Sequence, residues 1–279
     1  SGDAHIALMK AVRPGVGTEA ELHALFEYEC FREGARQAYT AIIAGGRNGS
    51  VLHYISNKDP IPANPADMLL VDAAGEFSYY SADITRTYPL GGRFEGDWKT
   101  TYEIVLEMFK AVLSQLRAGV KWEDMHRVAE RVALDGLVKA GLITGSTEEL
   151  LANHIPALFF PHGLGHLIGL DTHDCGGYPK GVERIQEPGI RYLRMRRELK
   201  AGMVVTVEPG VYFVDPILKN AVADPAINKY LNLDVVERFR KNVGGVRIED
   251  DVVILADGYD NLSEFVPKEI ADIERIMAR

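Results

Sequence analysis

The sequence predicts a chain of the α+β class, in which the strands pair mainly in an antiparallel way. Three observations predict it. β-branched and aromatic runs cluster in the first third of the chain, helical periodicities fill the middle, and β-branched runs return near the end. This order of strands, helices and strands lacks the regular alternation of parallel βαβ units.

Apolar residues at three- and four-residue steps predict the helices. Two helices are expected in the stretch from Leu8 to Phe31, and Thr18 with Glu21 forms a capping-box pattern at the start of the second. Pro267 is expected at the first position of a closing helix, a place where proline is common. The later predicted helices cover residues 97–116, 122–142, 148–158 and 267–279.

Runs of β-branched and aromatic residues predict the strands. They cover residues 40–44, 67–71, 77–87, 203–207 and 246–255. Residues 174–197 contain four glycines, two prolines and six lysines or arginines, which predicts a long loop of the kind that carries function. No internal repeat or linker is visible, so one domain over residues 1–279 is predicted.

The composition limits the functional classes. Hydrophobic residues make up 47% of the chain and charged residues 25%, which is typical of a packed globule and unlike a membrane or disordered protein. The formal charge of -9 disfavours a nucleic-acid partner. Two cysteines are too few for a disulfide framework and indicate a reducing compartment, so a cytoplasmic location is expected.

Two aspartates stand where a buried strand ends and the next begins. Asp72 follows an apolar run, and Asp83 lies eleven positions later, across a turn signal near Gly75. If the flanking strands form a hairpin, both carboxylates reach the same patch of the sheet. Because the turn signal lies off the midpoint, the register stays open, and either aspartate alone could simply end its strand.

A histidine and a glutamate have similarly unusual surroundings. His166 follows Gly163 and Gly165, which oppose a continuous helix and allow close approach to a ligand. Glu208 ends the predicted strand at 203–207, where an ionised carboxylate is costly unless it is paired or bound to a metal. A lone histidine in such a segment is more often a hydrogen-bonded core residue than a ligand.

Near the end of the chain, period-two alternation puts Arg247, Glu249 and Asp251 on one face of a strand. Spacing does not choose between Glu249 and Asp251. Four carboxylates and one imidazole suit a pair of hard divalent cations, because oxygen-rich ligand sets favour Mn, Mg or Co over thiolate-bound Zn. The reaction class that this indicates is metal-assisted hydrolysis.

Four segments of the chain resemble the pita-bread metallopeptidases, and specifically the eukaryotic-type prolidases, which are Xaa-Pro dipeptidases. The segments are LLVDAAGEFSYYSADITRTYP, PHGLGHLIGLDTHDCGGYP, MVVTVEPGVYF and GGVRIEDDVV. The resemblance implies a pita-bread fold, an antiparallel curved sheet flanked by helices. It also implies that the chain is the catalytic domain, that full-length relatives carry a further N-terminal domain, and that the enzyme is a homodimer.

The same resemblance implies a set of metal ligands and resolves the open choice in favour of Glu249. The implied ligands of two divalent ions are Asp72, Asp83, His166, Glu208 and Glu249. Asp83 and Glu249 are implied to bridge the ions, with Mn as the expected metal and Co or Zn as alternatives. A hydroxide held between the ions is the implied nucleophile.

The resemblance also implies the residues that meet the substrate. Catalytic roles are implied for Glu208, His162 and His173, and substrate binding for His53, His173, Arg194 and Arg247. Glu208 is implied to shuttle a proton, and His173 to polarise the scissile carbonyl. Arg194 is implied to pair with the free carboxylate of the substrate proline.

The expected function is metal-dependent hydrolysis of Xaa-Pro bonds in small peptides, preferentially in dipeptides. One alternative is an Xaa-Pro aminopeptidase that accepts longer peptides, and another is a pita-bread binding module without catalysis. A third is a zinc site made of three histidines, His162, His166 and His173, which leaves the carboxylates unexplained.

Overall fold

The computed structural model describes residues 1–278 and places two strand-rich segments around a helical block. The helices of the first two thirds are α1 (Gly2–Ala11), α2 (Glu19–Arg32), α3 (Gly96–Leu113), α4 (Trp122–Lys139) and α5 (Thr147–Ala152). The later helices are α6 (Asp215–Ala223), α7 (Pro225–Asn228), α8 (Leu233–Asn242) and α9 (Ile270–Met277). Among residues 1–278, every helix is too short or too polar to cross a lipid bilayer.

The strands form small antiparallel sheets. In the first third of the chain they are β1 (Arg36–Gln37), β2 (Ile42–Gly45), β3 (Met68–Asp72), β4 (Gly75–Phe77), β5 (Tyr80–Ser81) and β6 (Thr85–Pro89). In the last third they are β7 (Val204–Val207), β8 (Gly210–Tyr212), β9 (Gly245–Arg247), β10 (Asp250–Ile254) and β11 (Tyr259–Asn261). The sheet orders are β2-β3-β6, β1-β4-β5, β11-β10-β7 and β8-β9, all with antiparallel pairing. The predicted α+β class is confirmed.

The predicted start of α2 is confirmed by its cap. Thr18 Oγ1 accepts a hydrogen bond from the Glu21 amide at 3.2 Å, and the Glu21 carboxylate accepts one from the Thr18 amide at 2.8 Å. This reciprocal pair satisfies two amides that the first helical turn leaves without partners.

Two predicted helices were too long. The helix expected over 148–158 ends at Ala152, because His154 adopts a left-handed φ of 55° and a short 3₁₀ turn (Ile155–Leu158) follows. The closing helix begins at Ile270, so the prediction that Pro267 opens it was wrong. The Pro267 carbonyl instead accepts a hydrogen bond from Arg86 Nε at 3.0 Å, which holds this segment outside the helix. The predicted end at residue 279 lies outside the described residues.

Two predicted strands are each broken. The stretch 77–87 is not one strand, because Ser78 and Tyr79 have φ angles of 51° and 69° and turn the chain between β4 and β5 before β6 begins. The stretch 246–255 divides into β9 and β10, where the Glu249 amide leaves the ladder and donates to the Thr85 carbonyl at 3.1 Å. The structure also contains β1, β8, β11 and the helices of residues 215–242, none of which was predicted from the sequence.

A buried ion pair links the two strand-rich segments. Arg86 of β6 and Asp250 of β10 lie 2.6 Å apart, and both side chains are fully buried. Lys268 approaches the other oxygen of Asp250 at 3.1 Å. Arg86 Nη1 also donates to the Glu249 carbonyl at 2.7 Å, so β6 and the segment before β10 are fixed to each other.

Candidate metal centre

Asp72 and Asp83 converge because β3 and β6 are neighbours in register. Asp72 ends β3 opposite Thr85, two residues after Asp83. Oxygens of Asp72, Asp83 and Glu249 lie within 4.8 Å of one another. The convergence expected from a hairpin occurs, but the β4–β5 excursion connects the two residues instead of a simple turn near Gly75.

His166 and Glu208 meet because an extended segment runs beside β7. The Thr206 amide donates to the His166 carbonyl at 2.9 Å, and the Glu208 amide donates to the Leu164 carbonyl at 2.8 Å. A Cβ atom at Gly165 would lie 2.1 Å from the Thr206 carbonyl oxygen, so glycine is required for this approach.

The ring of His166 is oriented by its own backbone neighbour. Its Nδ1 lies 3.0 Å from the Leu167 carbonyl, which can only accept, so Nδ1 carries the proton. In the neutral ring Nε2 carries the lone pair and faces Asp83 and Glu208, whose nearest oxygens lie 3.3 Å and 3.6 Å away. Burial lowers the pKa of this ring, but the two carboxylates outweigh burial and raise the pKa above its usual value. A backbone partner of this kind is the usual way in which a metal-binding histidine is fixed.

The structure brings Glu249 rather than Asp251 into the carboxylate group. Glu249 Oε2 accepts a hydrogen bond from Thr85 Oγ1 at 2.6 Å, and its carboxylate also falls within 4.8 Å of ligand atoms of His166 and Glu208. Asp251 lies in β10, and its carboxylate accepts a hydrogen bond from the Asp83 amide at 3.0 Å. It supports the position of Asp83 from behind.

Burial and mutual repulsion raise the pKa values of three carboxylates in the cluster. Burial raises the pKa of Glu208 to about 7 and holds the pKa of Glu249 well above its usual range, and in each case the charge of Asp83 adds to the shift. Burial likewise raises the pKa of Asp72, against the opposing charge of Arg247. Carboxylates that repel one another in a buried space are a natural environment for cations.

The donor set therefore suits divalent metal ions. Three overlapping groups of side chains each bring ligand atoms within 4.8 Å, and together they contain four carboxylates and two imidazoles. These groups are Asp83, His166 and His173; His166, Glu208 and Glu249; and Asp72, Asp83 and Glu249. Hard cations prefer such oxygen-rich sets. Among residues 1–278, the three histidines of the alternative zinc hypothesis do not form such a group.

A cavity of about 910 Å³ opens over this cluster. It is lined by all ten residues that the family resemblance assigned to metal, catalysis or substrate, namely His53, Asp72, Asp83, His162, His166, His173, Arg194, Glu208, Arg247 and Glu249. Parts of the chain that are distant in sequence thus meet around one space that is large enough for a small peptide.

His162 is held as a neutral ring at the wall of the cavity. Burial lowers its pKa to about 3, and the charge of Arg247 acts in the same direction. Its Nδ1 lies 2.8 Å from the Gly163 carbonyl, and its Nε2 lies 3.1 Å from the Tyr212 hydroxyl. That hydroxyl accepts a hydrogen bond from Arg247 Nη1 at 2.6 Å, so its own proton is free to be donated in a hydrogen bond to His162 Nε2.

All three nitrogens of the Arg247 guanidinium donate hydrogen bonds to other side chains of the protein. Nη2 donates to Asp72 at 2.5 Å, Nη1 to Tyr212, and Nε to Thr85 Oγ1 at 3.1 Å. The guanidinium therefore orients a carboxylate of the cluster, although it lines the cavity as expected.

Arg194 and His173 differ from Arg247 in this respect. In the part of the chain that the structure describes, the Arg194 side chain is exposed and makes neither a hydrogen bond nor an ion pair. The His173 ring lies 4.5 Å from that of His166, centroid to centroid. Burial, followed by the charges of His166 and Arg194, lowers the pKa of His173 to about 4, so this ring is neutral near pH 7.

Sequence reasoning missed several supporting residues. Tyr39 donates its hydroxyl proton to Asp72 at 2.6 Å, and Thr85 donates to Glu249. Thr85 had a sequence signal, because threonine alternates with larger residues in the buried strand β6. Glu19 had none. It is fully buried and accepts hydrogen bonds from both sides of the segment that carries His53, from Gly45, Asn48, Tyr54 and Asp59.

Comparison with known proteins assigns the family. The sequence profile of metallopeptidase family M24 matches residues 1–256. The chain belongs to this family. It is 46% identical over its whole length to the Xaa-Pro dipeptidase of Homo sapiens, and 44% identical to a probable Xaa-Pro aminopeptidase of Aspergillus fumigatus. The chain spans 57% and 59% of the length of these two relatives.

Solved structures of family members share the fold. The aminopeptidase PepP of Pseudomonas aeruginosa superposes with a TM-score of 0.82 at 38% identity, over all of this chain and 56% of that one. A zinc-substituted aminopeptidase P of Escherichia coli in complex with product gives a TM-score of 0.80 at 35% identity, over 99% and 55% of the two chains. The predicted pita-bread fold is confirmed.

Proposed function

We propose that residues 1–279 form one catalytic domain that hydrolyses Xaa-Pro bonds, with a preference for dipeptides that end in proline. The observation that carries this proposal is the position of Arg194. This arginine, whose side chain makes no hydrogen bond or ion pair with residues 1–278, lines the same cavity as the carboxylate cluster. A short substrate can therefore place its scissile bond at the cluster and its C-terminal carboxylate at the guanidinium.

The cluster would hold divalent metal through Asp72, Asp83, His166, Glu208 and Glu249. Mn is the metal we propose, because the donors are mainly carboxylate oxygens with one imidazole. A solved relative at 35% identity carries zinc by substitution, which supports a metal role for this fold. When bound, such ions supply Lewis acidity and make a bound water nucleophilic at neutral pH.

Two side chains would then take part in the reaction, one by transferring a proton and the other by stabilising the negative charge that develops on the carbonyl oxygen. Glu208 accepts the proton of the attacking water at a carboxylate oxygen and delivers it to the leaving proline nitrogen. His173, neutral near pH 7, donates a hydrogen bond to the carbonyl oxygen as negative charge develops there. His162 is fixed by Gly163 and Tyr212 and forms the wall beside Glu208, whose Oε2 lies 3.7 Å from His162 Nδ1.

The alternative activity is removal of an N-terminal residue from longer Xaa-Pro peptides. The sequence relative from Aspergillus fumigatus and the structural relative from Pseudomonas aeruginosa are named aminopeptidases, which favours it. The two activities differ in what lies beyond proline, because a dipeptide ends there in a carboxylate and a longer peptide continues with an amide. A guanidinium facing that position favours the dipeptide.

Arg194→Ala tests this choice. A hydrogen bond to a charged group contributes about 1.5–3 kcal/mol, so we expect kcat/KM for Gly-Pro to fall roughly ten- to a hundredfold. The values for Gly-prolinamide and for a tripeptide that continues beyond proline should change much less. Kinetics on the three substrates, with the Mn-loaded protein, provide the measurement.

The matched control is Arg191→Ala. Arg191 also lines the cavity, but its Nη2 donates a hydrogen bond to the Tyr192 hydroxyl at 2.7 Å. Removing the Arg191 side chain should therefore leave the preference for the dipeptide over the amide unchanged. Equal losses on dipeptide and amide in Arg194→Ala would show that this residue does not bind the carboxylate, and the aminopeptidase activity would become the better proposal.

A further inference from the structure

Two side chains of the loop at residues 174–197 hold one carbonyl next to Arg194. Tyr178 Oη and Arg184 Nη1 both donate hydrogen bonds to the Leu193 carbonyl, at 2.7 Å and 2.9 Å. The Arg184 guanidinium also lies over the Tyr178 ring, with Cζ 4.7 Å from the ring centroid. We call this pair of side chains the Leu193 clamp.

The backbone around the clamp is fixed by close packing. The Leu193 side chain is 1% exposed, and a Cβ atom at Gly163 would lie 2.8 Å from the Leu193 Cα. Leu193 thus rests directly on the segment that carries His162 and His166. This contact sets the distance between the backbone of Arg194 and the carboxylate cluster.

The other side of Arg194 is fixed as well. A Cβ atom at Gly177 would lie 2.3 Å from the Arg194 carbonyl oxygen, and the Arg196 amide donates to the Gly177 carbonyl at 2.8 Å. The peptide groups before and after Arg194 are therefore held by tertiary contacts, whereas its side chain makes no hydrogen bond or ion pair within residues 1–278. A fixed backbone with an unengaged charged side chain is the arrangement expected of a pre-organised binding group.

We propose that Tyr178, together with Arg184, is a positioning residue for substrate recognition: the Leu193 clamp fixes the backbone from which Arg194 reaches the substrate carboxylate. This inference rests on the proposed dipeptidase function. Tyr178 itself does not line the cavity, whereas Arg184 does. Any effect of Tyr178 on substrate choice must therefore pass through the loop, which makes it the cleaner residue to test.

The test variant is Tyr178→Phe, which keeps the ring under Arg184 and removes one hydroxyl. We expect the KM for Gly-Pro to rise about fivefold with kcat nearly unchanged, because one neutral hydrogen bond of about 1 kcal/mol is lost and carboxylate binding is weakened uniformly. The kinetics of Gly-prolinamide should stay as in the wild type. Tyr259→Phe, in a partly exposed tyrosine outside the cavity, controls for a general effect of hydroxyl removal.

A double-mutant cycle separates positioning from loop stability. If Tyr178 acts through Arg194, adding Tyr178→Phe to Arg194→Ala should change neither the kinetics of Gly-Pro nor the affinity for proline. Affinities of the Mn-loaded protein for proline and prolinamide, measured by calorimetry, give the same comparison without turnover. We expect the single Tyr178 variant to lose affinity for proline and to keep its affinity for prolinamide.

The outcomes distinguish this inference from the function on which it rests. If Arg194→Ala leaves the preference for dipeptide over amide intact, the proposed recognition of the carboxylate is wrong and the inference is overturned with it. If Arg194→Ala removes the preference for dipeptide over amide but Tyr178→Phe leaves that preference as large as in the wild type, only the role of Tyr178 is overturned. Equal effects of Tyr178→Phe on dipeptide and amide, or additive effects in the cycle, also overturn it.

Discussion

At the scale of single residues, Asp83 and Glu249 connect the groups that make up the carboxylate cluster. Each belongs to two of the three groups that could hold a metal ion. Asp72 and Glu208 belong to one group each. His166 also belongs to two groups, but its Nδ1 faces the Leu167 carbonyl and leaves one ring nitrogen for a metal. A carboxylate shared between two groups can offer an oxygen to each of two ions, which is the position of a bridging ligand.

We therefore expect Asp83→Asn and Glu249→Gln each to abolish hydrolysis and to lower metal content at both positions, because a neutral amide is a poor bridge between cations. Metal analysis after dialysis, together with Gly-Pro turnover, provides the measurement. A variant that keeps two ions per chain and near-normal turnover would contradict a dinuclear centre.

The candidate site was accessible from the sequence only in part. Acidic residues at the ends of apolar runs marked Asp72 and Glu208 correctly as unusual, and the structure brings them to one cavity. Alternation could not separate Glu249 from Asp251, because it predicted one continuous strand with both residues on the same face, whereas the strand is interrupted at Glu249. Alternation in β6 marks Thr85 as a polar residue of a buried strand, but it does not show that the hydroxyl donates to Glu249, because that carboxylate comes from a distant part of the chain.

At the scale of elements, most helices and strands were predicted from the sequence, but several of their ends were predicted wrongly. The amphipathic helices α3 and α4 were expected within a few residues of their observed bounds, because their periodicity is long and regular. The breaks at Ser78–Tyr79 and at Glu249 depend on left-handed backbone or on hydrogen bonds to distant strands. Strand propensity carries no information about either.

Helix α1 is attached to the end of β3 by one histidine. His5 is fully buried, its Nε2 lies 2.9 Å from the Ala73 carbonyl, and burial followed by the charge of Arg86 lowers its pKa to about 3. The unfolded chain takes up this proton near its ordinary pKa of about 6.5, and the folded chain does not until near pH 3. The contribution of His5 to stability is therefore complete above pH 6.5 and decreases as the pH falls below it.

His5→Gln should remove this dependence while keeping a donor for the Ala73 carbonyl. Between pH 6.5 and 5 we expect the unfolding free energy of the wild type to fall relative to that of the variant, by roughly 1.4 kcal/mol per pH unit at most. Urea unfolding at several pH values, at constant metal concentration, gives the comparison. Parallel pH profiles for the two proteins would show that His5 does not titrate on unfolding.

At the scale of the whole molecule, the proposed ligands come from both strand-rich segments. Asp72 and Asp83 flank the β4–β5 excursion in the first, and Glu208 and Glu249 belong to the second. The sequence predicted this order of segments and the class of fold, and the resemblance supplied the pita-bread fold. The helices of residues 215–242 were not predicted, because they are short and two of them carry a proline in their first two positions.

Bound metal should therefore stabilise the entire chain. We expect a chelator to abolish Gly-Pro hydrolysis reversibly and to lower the midpoint of thermal unfolding, with Mn or Co restoring both better than Ca. Free metal at a hundred times its Kd adds about 2.7 kcal/mol to the free energy of unfolding. Activity or a melting midpoint that is unaffected by chelation would contradict a metal centre.

The placement of the cluster also bears on the order of folding. In the sequence, Asp72 precedes the helical block and Glu249 follows it. The contact between β6 and Glu249 therefore requires that the chain from α3 to β9 has already been synthesised and folded back. A nascent or partly folded chain thus presents an incomplete set of ligands, and closing such long loops is slow. Metal capture by the proposed ligands would then belong to the last stage of folding, because it requires that both strand-rich segments have already come into contact.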